Sequence, residues 1–176
     1  MEYSPNYTIS KLETDDVAAA EQLRAQSWLD SYVDEDRGIG RDHVLGQVGI
    51  RLTQQQLDLR RKTVDRADES RLLQRVAKDE QGEVIVDIVA HKDKSSQHIR
   101  ALYVDKAHRG SGVAGDLISE GLEWFDAERP VHLEVVSYND RAIRFYEKHG
   151  FAQVGGSDHM LSDAIPAINM TREGKL

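Results

Sequence analysis

The stretch RALYVDKAHRGSGVAG, residues 100–115, decides the fold that we predict for this chain. The apolar residues that end at Val104 are typical of a strand, and Gly110 and Gly112 indicate a tight turn that leads into a helix. Glycines leave the backbone N–H groups of such a turn uncovered at the positive end of the helix dipole. The turn can therefore bind a phosphate or pyrophosphate without a metal, and Arg109 adds a positive charge at its rim.

Downstream of this turn the pattern alternates between helix and strand. A long amphipathic helix is predicted at 113–126, because apolar residues fall on one side and acidic residues on the other. A strand at 131–136 follows, and then a short helix at 140–149 that Gly150 closes at its C-terminal cap. Two final strands are predicted at 151–154 and 167–170.

Upstream of the turn the sequence predicts helices first and strands second. After a weak strand at 8–12, a helix is predicted at 15–32 and a second helical stretch at 41–67, broken near Gly46 or Gly49. A hairpin then joins strands at 71–78 and 83–91, and a strand at 98–104 leads into the turn. This order of elements indicates a mixed α/β (α+β) sheet.

Length and composition exclude several classes of protein. The 176 residues fit one domain, and the formal net charge of −8 argues against nucleic acid binding, which needs a basic face. The absence of cysteine excludes a thiol nucleophile, a cysteine-ligated zinc site and disulfides. There is no apolar run long enough for a membrane span, and the first ten residues lack the features of a secretory signal. We expect a cytoplasmic protein that does not bind membranes.

The glycines of the turn also fit the dinucleotide-binding pattern G-x-G-x-x-G, as Gly110-Ser-Gly-Val-Ala-Gly115. In that motif the first glycine follows its strand almost at once, whereas five residues separate Val104 from Gly110 here. The downstream acidic residue, Glu134, falls inside a predicted strand rather than at its end. A nicotinamide or flavin enzyme is therefore one alternative, and glycines that serve only packing at a helix start are another.

Two motifs in order favour a third interpretation. The turn matches the pattern R/Q-x-x-G-x-G/A as Arg109-Gly-Ser-Gly-Val-Ala114, and the segment LEV at 133–135 runs into NDRAIRFYEKHGF at 139–151. Over residues 83–156 the chain resembles the GNAT superfamily of acyl-CoA N-acyltransferases, the GCN5-related N-acetyltransferases. The resemblance implies a mixed, mostly antiparallel sheet flanked by helices, in which two middle strands diverge near Val104 and Val136.

The resemblance also implies the domain organisation and the cofactor. Residues 1–176 would form a single N-acetyltransferase domain, with a strand and acceptor-side helices in 1–69 and the sheet and acetyl-CoA-binding core in 70–176. Acetyl-CoA would be the acyl donor. Its pantetheine arm would pair with main-chain groups of Leu102, Tyr103 and Val104 and would contact Asn139. Its pyrophosphate would accept from the N–H groups of Arg109, Gly110, Ser111, Gly112, Val113 and Ala114. Tyr146 would lie at the sulfur end of the cofactor.

Tyr146 is the general acid that the resemblance implies, protonating the thiolate that leaves. Spacing supports this role, because Asn139 and Tyr146 are seven residues apart, two helical turns, and so share a helix face. A phenol with its usual pKa of about 10 stays protonated at neutral pH and can donate to sulfur. The alternative is a half-buried tyrosine whose hydroxyl only satisfies a neighbour.

The base that deprotonates the amine is less clearly indicated. Asp87 is the candidate catalytic residue, because it is the one charged side chain in an apolar strand and burial there would raise its pKa. The alternative for Asp87 is a structural carboxylate that is paired or faces solvent. Glu134, acting through a water molecule, and His98 are further candidates.

The predicted reaction transfers an acetyl group from acetyl-CoA to a primary amine, of a small molecule in the first instance. Alternatives are a protein or peptide amine, at an N-terminus or a lysine, and a domain that binds acyl-CoA as a sensor without turnover. The acidic segment 30–36, with Trp28 one turn before Tyr32, would receive a cationic amine, and the alternative is a solvated charged loop. No metal is expected, because the histidines lack ligand-like spacing. A homodimer is left open.

Overall fold

The computed structural model describes residues 6–162 and 164–175, so the first five residues lie outside it. Eight strands form one sheet in the order β1-β2-β3-β4-β5-β8-β6, and β7 pairs with β8 beside β6. The strands span Tyr7–Lys11 (β1), Leu72–Asp79 (β2), Val84–Lys92 (β3), Gln97–Val104 (β4), Val131–Val136 (β5), Ala152–Gln153 (β6), His159–Met160 (β7) and Pro166–Arg172 (β8). The predicted mixed, mostly antiparallel sheet is confirmed.

The middle of the sheet is its irregular part. Strands β4 and β5 run parallel, and only two residue pairs join them, His98 with His132 and Ile99 with Leu133. Beyond those pairs the two strands separate towards their C-terminal ends. A bulge lies in β4 at the same point, because Ala101 and Ile99 face the consecutive β3 residues Val89 and Ala90 and leave Arg100 unpaired.

Helices cover both faces of the sheet. They span Val17–Tyr32 (α1), Arg41–Val48 (α2), Gln54–Asp65 (α3), Val113–Trp124 (α4) and Asp140–Lys148 (α5). On one face α1 and α3 pack on Val76 through Val17, Ala20 and Val64. On the other face α4 and α5 bury Leu117, Ile118, Ile143 and Tyr146 against the strands.

Most predicted elements match the observed ones, including a predicted break, and two differences have physical causes. The helical stretch 41–67 is split by a 3₁₀ turn at Gly49–Leu52, as the early glycines predicted. The strand predicted at 151–154 pairs with β8 at only two residues, because Gly155 and Gly156 follow at once. Strand β7 was not predicted, since two residues carry no periodic signal.

Among the residues described, no helix combines the length and the apolar character that a membrane span requires.

Candidate functional site

A cavity of about 450 Å³ opens where β4 and β5 separate. The β4 segment 99–104, the β5 residues 134 and 135, the glycine turn, the N-terminal half of α4 and the inner side of α5 line it. The C-terminal half of α1 lines it from the opposite face through Ser27, Ser31 and Tyr32. The predicted divergence of two middle strands therefore produces a cleft that runs through the sheet.

The glycine turn forms one end of this cavity. Gly110 and Gly112 have φ values of 84° and 94°, a conformation that other residues adopt only with strain. Within the described part of the chain, the N–H groups of Gly110, Gly112, Val113 and Ala114 donate to no backbone carbonyl. Ser111 differs, because its N–H and its hydroxyl both donate to the carbonyl of His108. The turn thus presents four free backbone donors at the N-terminus of α4.

Basic side chains surround the turn, and two of them have partners on α1. The guanidinium of Arg109 lies 3.6 Å from the carboxylate of Asp30, so part of its charge is neutralised. Arg141 donates to the hydroxyl of Ser31 at 3.1 Å. Lys148 and His149 also line the cavity from α5. Arg141 and Lys148 were not predicted, although their spacing along one helix could have indicated them.

The free edge of β4 faces the widening gap. The N–H of Asp105 donates to Ile85 of β3, so by strand alternation the backbone of Tyr103 also faces β3. The backbone groups of Leu102 and Val104 therefore point away from β3, towards the gap that β5 has left. Of the three predicted β4 residues, two offer backbone groups to the cavity, and Tyr103 offers its side chain.

Asn139 and Tyr146 lie on the α5 side of the cavity, as their spacing predicted. Asn139 caps α5, because its Oδ1 accepts from the N–H of Ala142. Tyr146 is 8% exposed, and its ring packs edge-on against Phe145 and Phe151. Burial, together with the nearby Tyr103, raises the pKa of Tyr146 well above its usual range. The phenol is thus protonated throughout the neutral range.

Tyr103 connects α1 to the centre of the site. Its hydroxyl accepts from Nε1 of Trp28 at 2.9 Å. The guanidinium of Arg24 lies over its ring, 5.3 Å from the ring centroid. Tyr32, one turn after Trp28, packs against the indole with ring centroids 4.8 Å apart. These contacts between α1 and β4 place an aromatic wall on the side of the cavity opposite α5.

Asp87 lies behind this wall. It is 1% exposed, and its Oδ2 accepts from Arg24 at 3.1 Å, while its Oδ1 has no partner among the described residues. Burial raises the pKa of Asp87, and the neighbouring Arg24 and Arg60 oppose the rise. Arg24 and Arg60 also contact Glu21, so the four residues form a buried, charge-balanced cluster. Asp87 does not itself line the cavity.

Glu134 does line the cavity, from β5. Its side chain is 56% exposed, and its Oε2 lies 3.6 Å from Nε2 of His159. The acidic segment 30–36 is divided: Ser31 and Tyr32 line the cavity and Asp30 pairs with Arg109, whereas the carboxylates at 34–36 are not part of the lining. Asp34 instead caps the 3₁₀ turn that follows it and pairs with Arg37 at 3.0 Å.

No group of three or more histidine or acidic side chains in 6–162 and 164–175 is arranged to hold a metal ion.

Comparison with known proteins agrees with this geometry. The profile of the Acetyltransferase (GNAT) family matches residues 20–151. Comparison with curated protein sequences finds no significant match.

Solved structures with the same fold are numerous, at low sequence identity. The chain is similar to the PaiA N-acetyltransferase of Thermoplasma acidophilum, solved with coenzyme A, at 16% identity, with 95% of this chain and 98% of that chain covered and a TM-score of 0.73. It is similar to a GNAT-family acetyltransferase of Staphylococcus aureus Mu50 at 12% identity, with 96% and 99% covered and a TM-score of 0.68. A GNAT-family acetyltransferase of Streptococcus pneumoniae is similar at 19% identity, with 96% and 99% covered and a TM-score of 0.63.

Proposed function

Because this chain belongs to the acetyltransferase (GNAT) family and is an acetyl-CoA-dependent acyltransferase, we propose that it acetylates the primary amine of a small molecule. One observation carries the proposal: the free backbone donors of the glycine turn and the free edge of β4 line the same cavity. A nucleotide pyrophosphate and an extended amide-bearing arm are the two parts of coenzyme A that such groups would bind.

The donor would lie along the gap in the sheet. Its pyrophosphate would accept from the N–H groups of Gly110, Gly112, Val113 and Ala114, where the α4 dipole also favours an anion. Its pantetheine amides would pair with the backbone of Leu102 and Val104, in the way an added strand pairs with a sheet edge. The thioester would then lie near the point where β4 and β5 part.

Chemistry at that point follows from the groups that converge there. The neutral amine attacks the thioester carbonyl, and its carbon–nitrogen bond forms as the oxygen takes up negative charge. Backbone N–H groups of the separated strand would stabilise that oxygen. When the carbon–sulfur bond breaks, Tyr146 donates its proton to the departing thiolate, and the nitrogen loses its extra proton to a base.

Two carboxylates are candidates for that base. Glu134 would act directly or through one water molecule, because it lines the cavity from β5. Asp87 would act only through an intervening group, since Arg24 and the ring of Tyr103 stand between its carboxylate and the cavity. Burial of Asp87 favours proton uptake, which supports its role, and the ion pair with Arg24 opposes it.

The size of the cavity supports a small acceptor. About 450 Å³ must hold both the end of the pantetheine arm and the acceptor, and α1 with its aromatic residues limits the space on the acceptor side. A small amine fits that remaining volume more readily than a folded protein surface would.

Calorimetry and a thiol-release assay together test the proposal. We expect acetyl-CoA to bind and NADH not to bind, and free thiol to appear when a panel of primary amines is added. Binding without thiol release from any amine or peptide would indicate a sensor. Turnover only with peptides would overturn the small-molecule acceptor, and binding of NADH alone would overturn the whole proposal.

A further inference from the structure

Four basic side chains lie together on the sheet face that also carries Glu134. His91, His98 and His132 occupy register-paired positions on β3, β4 and β5, and Arg100 lies at the β4 bulge. We call these four residues the His–Arg cluster. Arg100 and Glu134 line the cavity, and the three histidines lie next to its lining, at the end where β4 and β5 are still paired, because His132 is two residues before Glu134 on the same face of β5.

The members of the cluster are close enough to affect one another. The ring centroids of His98 and His132 are 5.4 Å apart. Burial, followed by the charges of Arg100, His132 and His91, lowers the pKa of His98 below its usual value. Ala101 pairs with Val89 on the face of the histidines, and at a bulge the adjacent residue shares that face, which places Arg100 beside His98.

Within the described ranges no acidic side chain forms an ion pair with a member of the cluster, although Asp93 is near enough to His98 to oppose the lowering of its pKa. Throughout the described ranges, Arg100 makes no ion pair and no hydrogen bond, although the chain carries a net charge of −8. Nδ1 of His91 is buried and has no hydrogen-bond partner in the same part of the chain. The other polar groups here are committed elsewhere, since Thr171 contacts His132 and Asp93 accepts from Ser95 and Ser96.

Resting on the proposed function, we propose that the acceptor amine carries an anionic group, a carboxylate or a phosphate-type group, which the His–Arg cluster binds while the amine lies beside Glu134. The unpaired guanidinium of Arg100 is suited to both kinds of anion, because it offers a planar set of donors. Each histidine ring can donate at least one N–H to a bound anion.

The spacing sets the length of the acceptor. Residues two apart on one strand are separated by about 6.5 Å, so the amine beside Glu134 and the anion at the cluster would be separated by a similar distance. An ω-amino acid or an aminoalkyl phosphonate with a three-carbon chain spans about that distance. An α-amino acid does not, because its amine and carboxylate share one carbon. The basic cluster would also favour the neutral form of the amine, which is the nucleophile.

The test compares amines that differ only in charge. The probes are γ-aminobutyrate, its neutral amide and aminopropylphosphonate, assayed at saturating acetyl-CoA and also titrated into the coenzyme A-loaded protein by calorimetry. We expect kcat/KM for at least one anionic amine to exceed that of the amide by tenfold or more. The anionic amine with the higher kcat/KM shows whether the cluster binds a carboxylate or a phosphate-type group.

Arg100→Gln should remove most of this preference by raising KM for the anionic amine, while the neutral amide changes by less than about twofold. Arg100→Lys, which keeps the charge, should restore part of the preference. Arg66→Gln is the matched control, because Arg66 is exposed near the C-terminal end of α3 and outside the cavity lining. Thermal denaturation of each variant excludes a folding defect as the cause.

Equal use of the amide and the anionic amines, or an equal loss for both in Arg100→Gln, would overturn the inference and leave the proposed function intact. If acetyl-CoA does not bind, the proposed function fails. In that case, titration of the anionic amines into the protein alone tests whether the His–Arg cluster binds an anion. The inference is overturned if the anionic amines do not bind, or if they bind equally well to the Arg100→Gln variant.

Discussion

Tyr146 shows how the surroundings of a residue can keep it protonated until a strong base forms beside it. Its ring is enclosed by Phe145 and Phe151, and the side chain is buried on the inner side of α5. Burial disfavours the phenolate, which raises the pKa and makes the proton harder to lose to water. Burial makes a thiolate formed in the same cavity more basic as well, so the phenol would give up its proton to sulfur only as the carbon–sulfur bond breaks.

We expect Tyr146→Phe to lower kcat by about 10²–10⁴ and to change the Kd of acetyl-CoA by less than about threefold. Phenylalanine keeps the packing and removes only the hydroxyl. Because the pKa of Tyr146 is raised, the wild-type rate should not decline on the alkaline side until above about pH 10. Steady-state kinetics and calorimetry measure both effects, and full turnover by the variant would remove the assignment.

The two candidate bases can be separated because their environments differ. Glu134→Gln should leave the melting temperature nearly unchanged, since its side chain is 56% exposed, and should lower kcat/KM by about 10². Asp87→Asn should reduce the free energy of unfolding by about 3 kcal/mol, because it leaves Glu21 alone to balance the two arginines, Arg24 and Arg60. Because Asp87 would act only through Tyr103, we expect Asp87→Asn to lower kcat/KM less than Glu134→Gln does.

Denaturant titration gives the stabilities, and rates are then measured on the folded enzyme at low temperature. A folded Asp87→Asn variant that loses its rate while Glu134→Gln keeps its own would identify Asp87 as the base.

At the scale of elements, the turn and helix α4 were predictable because their signals are local. Helix α4 begins at Val113 as predicted and ends at Trp124, two residues earlier. The apolar side of α4 is set by a periodicity that any window of the sequence reveals. The two-residue strand β7 and the bulge at Arg100 were not predictable, because each depends on register with a strand distant in sequence.

The turn before α4 gives a prediction at this scale. Gly112→Asp should abolish coenzyme A binding, because a carboxylate would occupy the place of the pyrophosphate. Gly112→Ala is the matched control, since it introduces only the strain of φ 94° in open space, at a cost of about 1–2 kcal/mol. Calorimetry should find weakened but measurable binding for the alanine variant. Equal binding by both variants would contradict the anion site.

Across the whole molecule, charge is distributed unevenly. The chain has a net charge of −8, yet the cavity lining contains Arg100, Arg109, Arg141 and Lys148 and a single acidic residue among those described, Glu134. This distribution could not be predicted, because the cationic residues come from three separate elements that only the fold brings together. The buried cluster of Glu21, Arg24, Arg60 and Asp87 has the same origin, since it joins α1, α3 and β3.

The uneven charge predicts a salt effect on donor binding. Raising NaCl from about 0.05 M to about 0.5 M should weaken binding of coenzyme A by about three- to tenfold, because screening acts on the phosphates and on the cations of the turn and α5, Arg109, Arg141 and Lys148. Pantetheine, which lacks the phosphates, is the control and should bind equally at both concentrations. Salt-independent binding of coenzyme A would place its phosphates away from these residues.

The two residue pairs between β4 and β5 have a mechanical consequence. Among the residues that the structure describes, they are the whole backbone ladder between the block β1–β4 and the block formed by β5, β6, β7 and β8. A pantetheine arm in the gap would supply the missing rungs, so the stiffness of the molecule would rise when the donor binds and fall when the product departs. Slower amide hydrogen exchange at the facing edges of β4 and β5 would then indicate that the donor is bound.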